Sequence, residues 1–170
     1  MLRRGSAADL AALEPMWVSV HHRHAESMPE LAPYVDDQRT WAARSALYGE
    51  LLEKPDTVLL LASVHGELAG YGLAHVMPVG ETWVEDTWQT GERIGEIESL
   101  AVLPSHRGRG IGTQLLTGLE SELQAIGVRD LIIGVLPGNE AAIHLYQRRG
   151  YRPTWTYLSR FSGRPAGAGA

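Results

Sequence analysis

A single domain of mixed α/β or α+β class follows from three features of the sequence. Two segments with helical spacing of apolar residues open the chain, short apolar runs of strand length fill its middle, and strand-like and helix-like segments alternate in its second half. Its 170 residues fit one ordinary domain. Such a length buries most of its apolar surface without disulfide or metal staples.

The elements follow in order. From Ser6, a candidate N-cap, Leu10, Leu13, Trp17 and Val20 recur at helical spacing and predict a first helix. A second is predicted over Asp37 to Leu52, stopping before Pro55. The period then changes: Thr57–Val64 and Glu67–Val76 are apolar runs joined at His65-Gly66, a β-hairpin signal. Met77–Glu92, with Pro78, Gly80, Trp83, Trp88 and Gly91, has no clean period and predicts a long loop between strands. Ile94–Leu103 returns to strand character. Ile111, Leu115, Leu119, Leu123 and Ile126, followed by Gly127, mark the clearest helix. A compact strand (Asp130–Leu136), a helix (Asn139–Arg149, stopped at Gly150) and a final strand rich in Thr, Tyr and Trp (Arg152–Arg160) complete the pattern. The tail, Ser162 to Ala170, is small residues, Gly and Pro, and is expected to be flexible.

Composition excludes several classes of function. With no cysteine, disulfides, thiolate metal sites and cysteine nucleophiles are ruled out. No apolar run approaches the ~18 residues of a membrane span, and the first residues lack the apolar stretch of a signal peptide. A soluble cytoplasmic protein without a membrane partner is the expectation. A net charge of −5 argues against a nucleic-acid partner. The charge is uneven: residues 1–106 carry −9 and residues 107–170 carry +4, which suggests two partners of opposite charge.

The chemistry concentrates in Ile97 to Leu116, where a strand enters a loop with Gly108, Gly110 and Gly112 and the best helix begins. Glycines admit close approach of a ligand to the backbone, and free amides at a helix N-terminus face an anion. Arg107 and Arg109 add positive charge, so the stretch predicts a polyphosphate or pyrophosphate site. It is not a P-loop, having no nearby lysine, and its glycine spacing and central position do not fit a Rossmann loop.

Arg107-Gly108-Arg109-Gly110-Ile111-Gly112 resembles the Arg/Gln-x-x-Gly-x-Gly/Ala signature of the GCN5-related N-acetyltransferases (GNAT family), and Leu100 to Pro104 resembles the strand that leads into it. Asn139 to Arg152 resembles that family's second motif, Asn-x-x-Ala-x-x-x-Tyr-x-x-x-Gly-Phe/Tyr. The likeness spans about residues 2–161, which it implies to be one N-acetyltransferase domain. It implies a twisted, mostly antiparallel central sheet with splayed fourth and fifth strands, flanked by about four helices. It also implies acetyl transfer from acetyl-coenzyme A to a primary amine in a ternary complex, without a metal. The main chain of Leu100, Ala101 and Val102 would hold the pantetheine arm. The amides of Arg107, Gly108, Arg109, Gly110, Ile111 and Gly112, with Thr113 nearby, would hold the pyrophosphate.

By the same resemblance Tyr146 is the acid that protonates the departing thiolate, and Asn139 both caps its helix and contacts the pantetheine arm. Glu98 is the implied general base, with Glu96 as alternative base or ammonium anchor. Parity along Ile97–Leu103 places polar Glu98 and apolar Leu100 on one face, an arrangement a bulge would permit. His144 is assigned to the surface. His21, His22 and His24 lack metal-ligand spacing and are assigned to a solvated helix end that could line the acceptor pocket. The Trp83/Trp88 loop, with Glu81, Glu85, Asp86 and Glu92, is either an acceptor wall or a hydrophobic plug or homodimer contact. Another acyl donor, an alcohol acceptor and a non-catalytic acyl-coenzyme A sensor are the alternative functions; the acceptor itself carries no motif.

Overall fold

The computed structural model describes residues 1–161; the tail expected to be flexible lies outside them. Five strands form one sheet in the order β1 (Leu2–Arg4), β2 (Val58–Val64), β3 (Glu67–Pro78), β4 (Arg93–Val102) and β5 (Asp130–Ile133). Neighbours from β1 to β4 are antiparallel, and β5 runs parallel to β4. Alternation in β2 explains the two-sided core: Val58, Leu60 and Ala62 face one layer and Leu59 and Leu61 the other. The first layer is α3 (Ile111–Ala125) with α4 (Glu140–Arg148), contributing Leu115, Leu116, Leu119, Leu123 and Tyr146. The second is α1 (Glu14–Ser27) with α2 (Asp37–Leu52), contributing Met16, Tyr48 and Leu51.

The predicted elements are largely present, with four differences. The first helix begins at Glu14, where Pro15 occupies its first turn; Ala7–Leu13 is a 3₁₀ segment, and Ser6 N–H donates to the Asp9 carboxylate at 2.9 Å. The sequence reading omitted β1, which is held at its ends by Met1 N to Ser63 O and Gly5 N to Leu59 O, both 2.8 Å. β5 ends at Ile133 rather than Leu136. Arg152–Arg160 has no strand pairing: β propensity measures the fit to a neighbouring pleated surface, and this segment has none. Trp155 packs instead against Trp83 and Trp88, at centroid distances of 6.3 and 6.1 Å.

The hairpin turn has positive φ at both His65 (51°) and Gly66 (88°), the type I′ signature that matches strand twist. Two features of β4 shape the site. Pairing with β3 steps from Leu73↔Ser99 to Ala74↔Ile97, so Glu98 is the extra residue of a β-bulge. Pairing with β5 runs only from Ile94↔Asp130 to Ile97↔Ile133. β5 ends at Ile133, so β4 from Glu98 to Val102 has no strand partner on that edge among the described residues.

Candidate active site

The bulge sorts the side chains of β4. Ile97, Leu100 and Val102 pack in the α3/α4 layer, whereas Ala101 lies in the α1/α2 core and Ser99 bonds Tyr48 of α2. Glu98 bonds Arg44 of α2. Glu98 and Leu100 therefore face opposite sides of the sheet, correcting the parity assignment. The bulge gives Glu98 and Ser99 the same facing, so the carboxylate turns toward α2 at the point where pairing with β5 ends.

Around Glu98 is a partly buried charged group. Its Oε1 takes the Arg44 guanidinium, and its Oε2 lies 3.9 Å from His75 Nε2. His75 Nε2 is also 3.4 Å from Glu96 Oε2. Burial raises the Glu98 carboxyl above its ordinary range; Arg44 opposes the rise and Glu96 reinforces it. Arg44 is itself clamped, its guanidinium carbon 3.9 Å above the Trp17 ring. Beside it the buried Tyr48 hydroxyl bonds Ser99 Oγ and, at 2.9 Å, the Tyr71 hydroxyl. These bonds tie α2 to β3 and β4. Arg44 and His75 escaped the sequence reading. The only available signals were polar residues in otherwise apolar settings: His75 in the run Leu73–Met77, and Arg44 between Trp41 and Tyr48.

Beyond the end of β4, the glycine loop presents unpaired amides. Gly108 (φ 74°) and Gly110 (φ 78°) are left-handed, and a Cβ at either would meet nothing within 4 Å. Among the described residues, the amides from Gly108 to Thr113 donate to no protein acceptor; the next amide, Gln114 N, makes the first helical bond to Gly110 O at 3.0 Å. Ile111 contributes only its backbone, because its side chain is buried in the core. Arg109 is exposed. Arg107 departs from the expectation of a charge beside these amides: its guanidinium donates to Ser19 Oγ of α1 (2.8 Å) and Val102 O (3.1 Å). Burial, with Arg23 nearby, pushes its pKa down.

Asn139 accepts from Ala142 N at 3.4 Å and caps α4, as predicted. Tyr146 is 8% exposed, and burial raises its phenol to about 12. His144 is exposed, as assigned. The three histidines of α1 do not form a solvated end. His21 is buried, with Nε2 2.8 Å from Val35 O, and His24 is half-buried with its pKa lowered by that burial; only His22, bonded to Asp37 at 2.8 Å, is at the surface. The β5–α4 loop touches the end of α1 so closely that a Cβ on Gly138 would lie 2.4 Å from Ser27 O.

An open strand edge, a row of free amides and a carboxylate facing the opposite layer can bind an extended anionic ligand and present a base to a second reactant. A 30% identical match over 88 residues is the mycothiol acetyltransferase of Propionibacterium freudenreichii, covering 52% of this chain and 28% of that protein. The chain thus spans under a third of that relative. An N-alpha-acetyltransferase of Sulfurisphaera tokodaii is 28% identical over 129 residues, 74% of this chain and 68% of its own. The structure of an aminoglycoside N-acetyltransferase in complex with coenzyme A superposes with a TM-score of 0.65 at 19% identity, covering 95% of this chain and 93% of the other. The sequence profile of the acetyltransferase (GNAT) family matches residues 11–151, and the chain belongs to that family.

Proposed function

We propose that residues 2–161 are an N-acetyltransferase that moves the acetyl group of acetyl-coenzyme A to a primary amine. One observation carries the proposal: the unpaired edge of β4 leads, through the short turn Pro104–His106, to six amides without protein acceptors at the start of α3. The edge suits an amide-containing arm and the amides suit a pyrophosphate. The relative solved with coenzyme A lends the same ligand by analogy.

In this reading the main chain of Leu100, Ala101 and Val102 holds the arm, and the amides of Gly108 to Thr113 hold the phosphates. Glu98 takes the proton that the acceptor's ammonium must lose before its nitrogen can attack. A carboxyl raised by burial suits that task better than an ordinary one. Tyr146, protonated throughout the physiological range, gives its proton to the leaving sulfur as the carbon–sulfur bond breaks, releasing free thiol, and regains a proton from the surroundings. Asn139 fixes the start of the helix that carries it. The reaction requires no metal.

The test is release of free thiol from acetyl-coenzyme A across a panel of amines, with calorimetry of coenzyme A binding in parallel. Binding with amine-dependent thiol release supports the proposal. Binding without release for any amine or alcohol points to a sensor, and absence of binding overturns the assignment.

A further inference from the structure

We infer that His75, Glu96 and Glu98 form a binding site for a zinc-class divalent cation on the α2-facing side of the β3–β4 pair. Their ligand atoms all lie within 4.8 Å of one another. A tetrahedral zinc with ligands at about 2.0–2.2 Å sets neighbouring ligand atoms about 3.3–3.6 Å apart. The 3.4 Å separation of His75 Nε2 and Glu96 Oε2 already has that length, and Glu98 Oε2, 3.9 Å from the imidazole, reaches it with a small rotation of its side chain.

The donor set selects the metal. One imidazole nitrogen and two carboxylate oxygens match zinc chemistry, whereas calcium and magnesium favour oxygen ligands throughout. Three protein ligands leave a fourth position for water or another molecule.

Two further observations separate this group from a chance gathering of acids. The His75 side chain is nine-tenths buried, makes no hydrogen bond among the described residues, and directs Nε2 at the two carboxylates. Glu98 is held through Oε1 by Arg44, which leaves Oε2 for a ligand on the His75 side. A hydrogen bond of that kind orients carboxylates around metals.

The site shares Glu98 with the acetyl-transfer proposal, and one consequence rests on that reading. An ion on Glu98 Oε2 occupies the group that would take the acceptor's proton, so zinc suppresses transfer.

Metal-free full-length protein is titrated with Co²⁺, followed by visible absorption, and with Zn²⁺, in competition with a chromogenic chelator. The expected result is one bound equivalent, weakened at least ten-fold in both His75→Gln and Glu96→Gln and unchanged in His22→Gln. Melting temperatures establish folding, and should His75→Gln fail to fold, Glu96→Gln alone decides. No binding at 100 μM Co²⁺, or an equivalent retained by every folded variant, overturns the site. Because no turnover is measured, that failure is distinct from failure of the acetyl-transfer proposal. Zinc that binds here without slowing thiol release overturns the competition alone.

Discussion

Arg44 bonds only one oxygen of Glu98, leaving the other directed at His75. The guanidinium thus restrains the carboxylate without enclosing it. It also works against the burial that raises the Glu98 carboxyl.

Arg44→Gln should therefore raise the Glu98 pKa further. The acid limb of kcat/KM should move to higher pH by on the order of one unit, since less of the ionised base survives at a given pH. Loss of the bond, and of the contact with Trp17, should cost about 1–3 kcal/mol of stability. A pH–rate profile and urea denaturation read the two effects separately.

Glu98→Gln removes the base itself. Its deficit in kcat/KM should be greatest where Glu98 is ionised in the wild type while the amine is still protonated, and should shrink as pH approaches the amine's own pKa. A deficit constant with pH would reassign Glu98 to anchoring the ammonium and pass the base role to Glu96 or water.

At Gly110, φ is 78° and surrounding space is open. Gly110→Ala should cost about 1–2 kcal/mol from left-handed strain alone. Gly110→Glu adds a negative charge among the free amides and should abolish coenzyme A binding in calorimetry while the protein remains folded. Unchanged affinity in that variant would remove the phosphates from this loop.

Tyr146→Phe should lower kcat by on the order of 10²–10⁴-fold with little change in coenzyme A affinity, because the ring and its packing are kept. The wild-type rate should show no loss from Tyr146 ionisation below about pH 11, since burial holds the phenol near 12. A variant within a factor of two of wild type would reassign Tyr146 to the core.

Much of this was legible because local signals agreed with tertiary ones. Leu115, Leu119 and Leu123 recur at helical spacing and all reach the core, and Gly110 and Gly127 bracket their helix with left-handed backbone. Asn139 caps where a cap was predicted. What escaped depends on partners distant in sequence. Arg44 meets Glu98 across 54 residues, and no periodicity in α2 indicates that its guanidinium finds a carboxylate on β4. The direction of Glu98 was equally hidden, because it follows from a register slip that only pairing with β3 defines. Trp155 misled for the converse reason: its segment has strand-forming composition, but the rings it meets belong to the loop before β4.

The close approach of Gly138 to Ser27 has a mechanical consequence. Because the atom a side chain would strike is main-chain, no rotamer change could relieve the crowding. Any side chain at this position would therefore have to hold the β5–α4 loop, which carries the cap Asn139 of the helix bearing Tyr146, away from the end of α1.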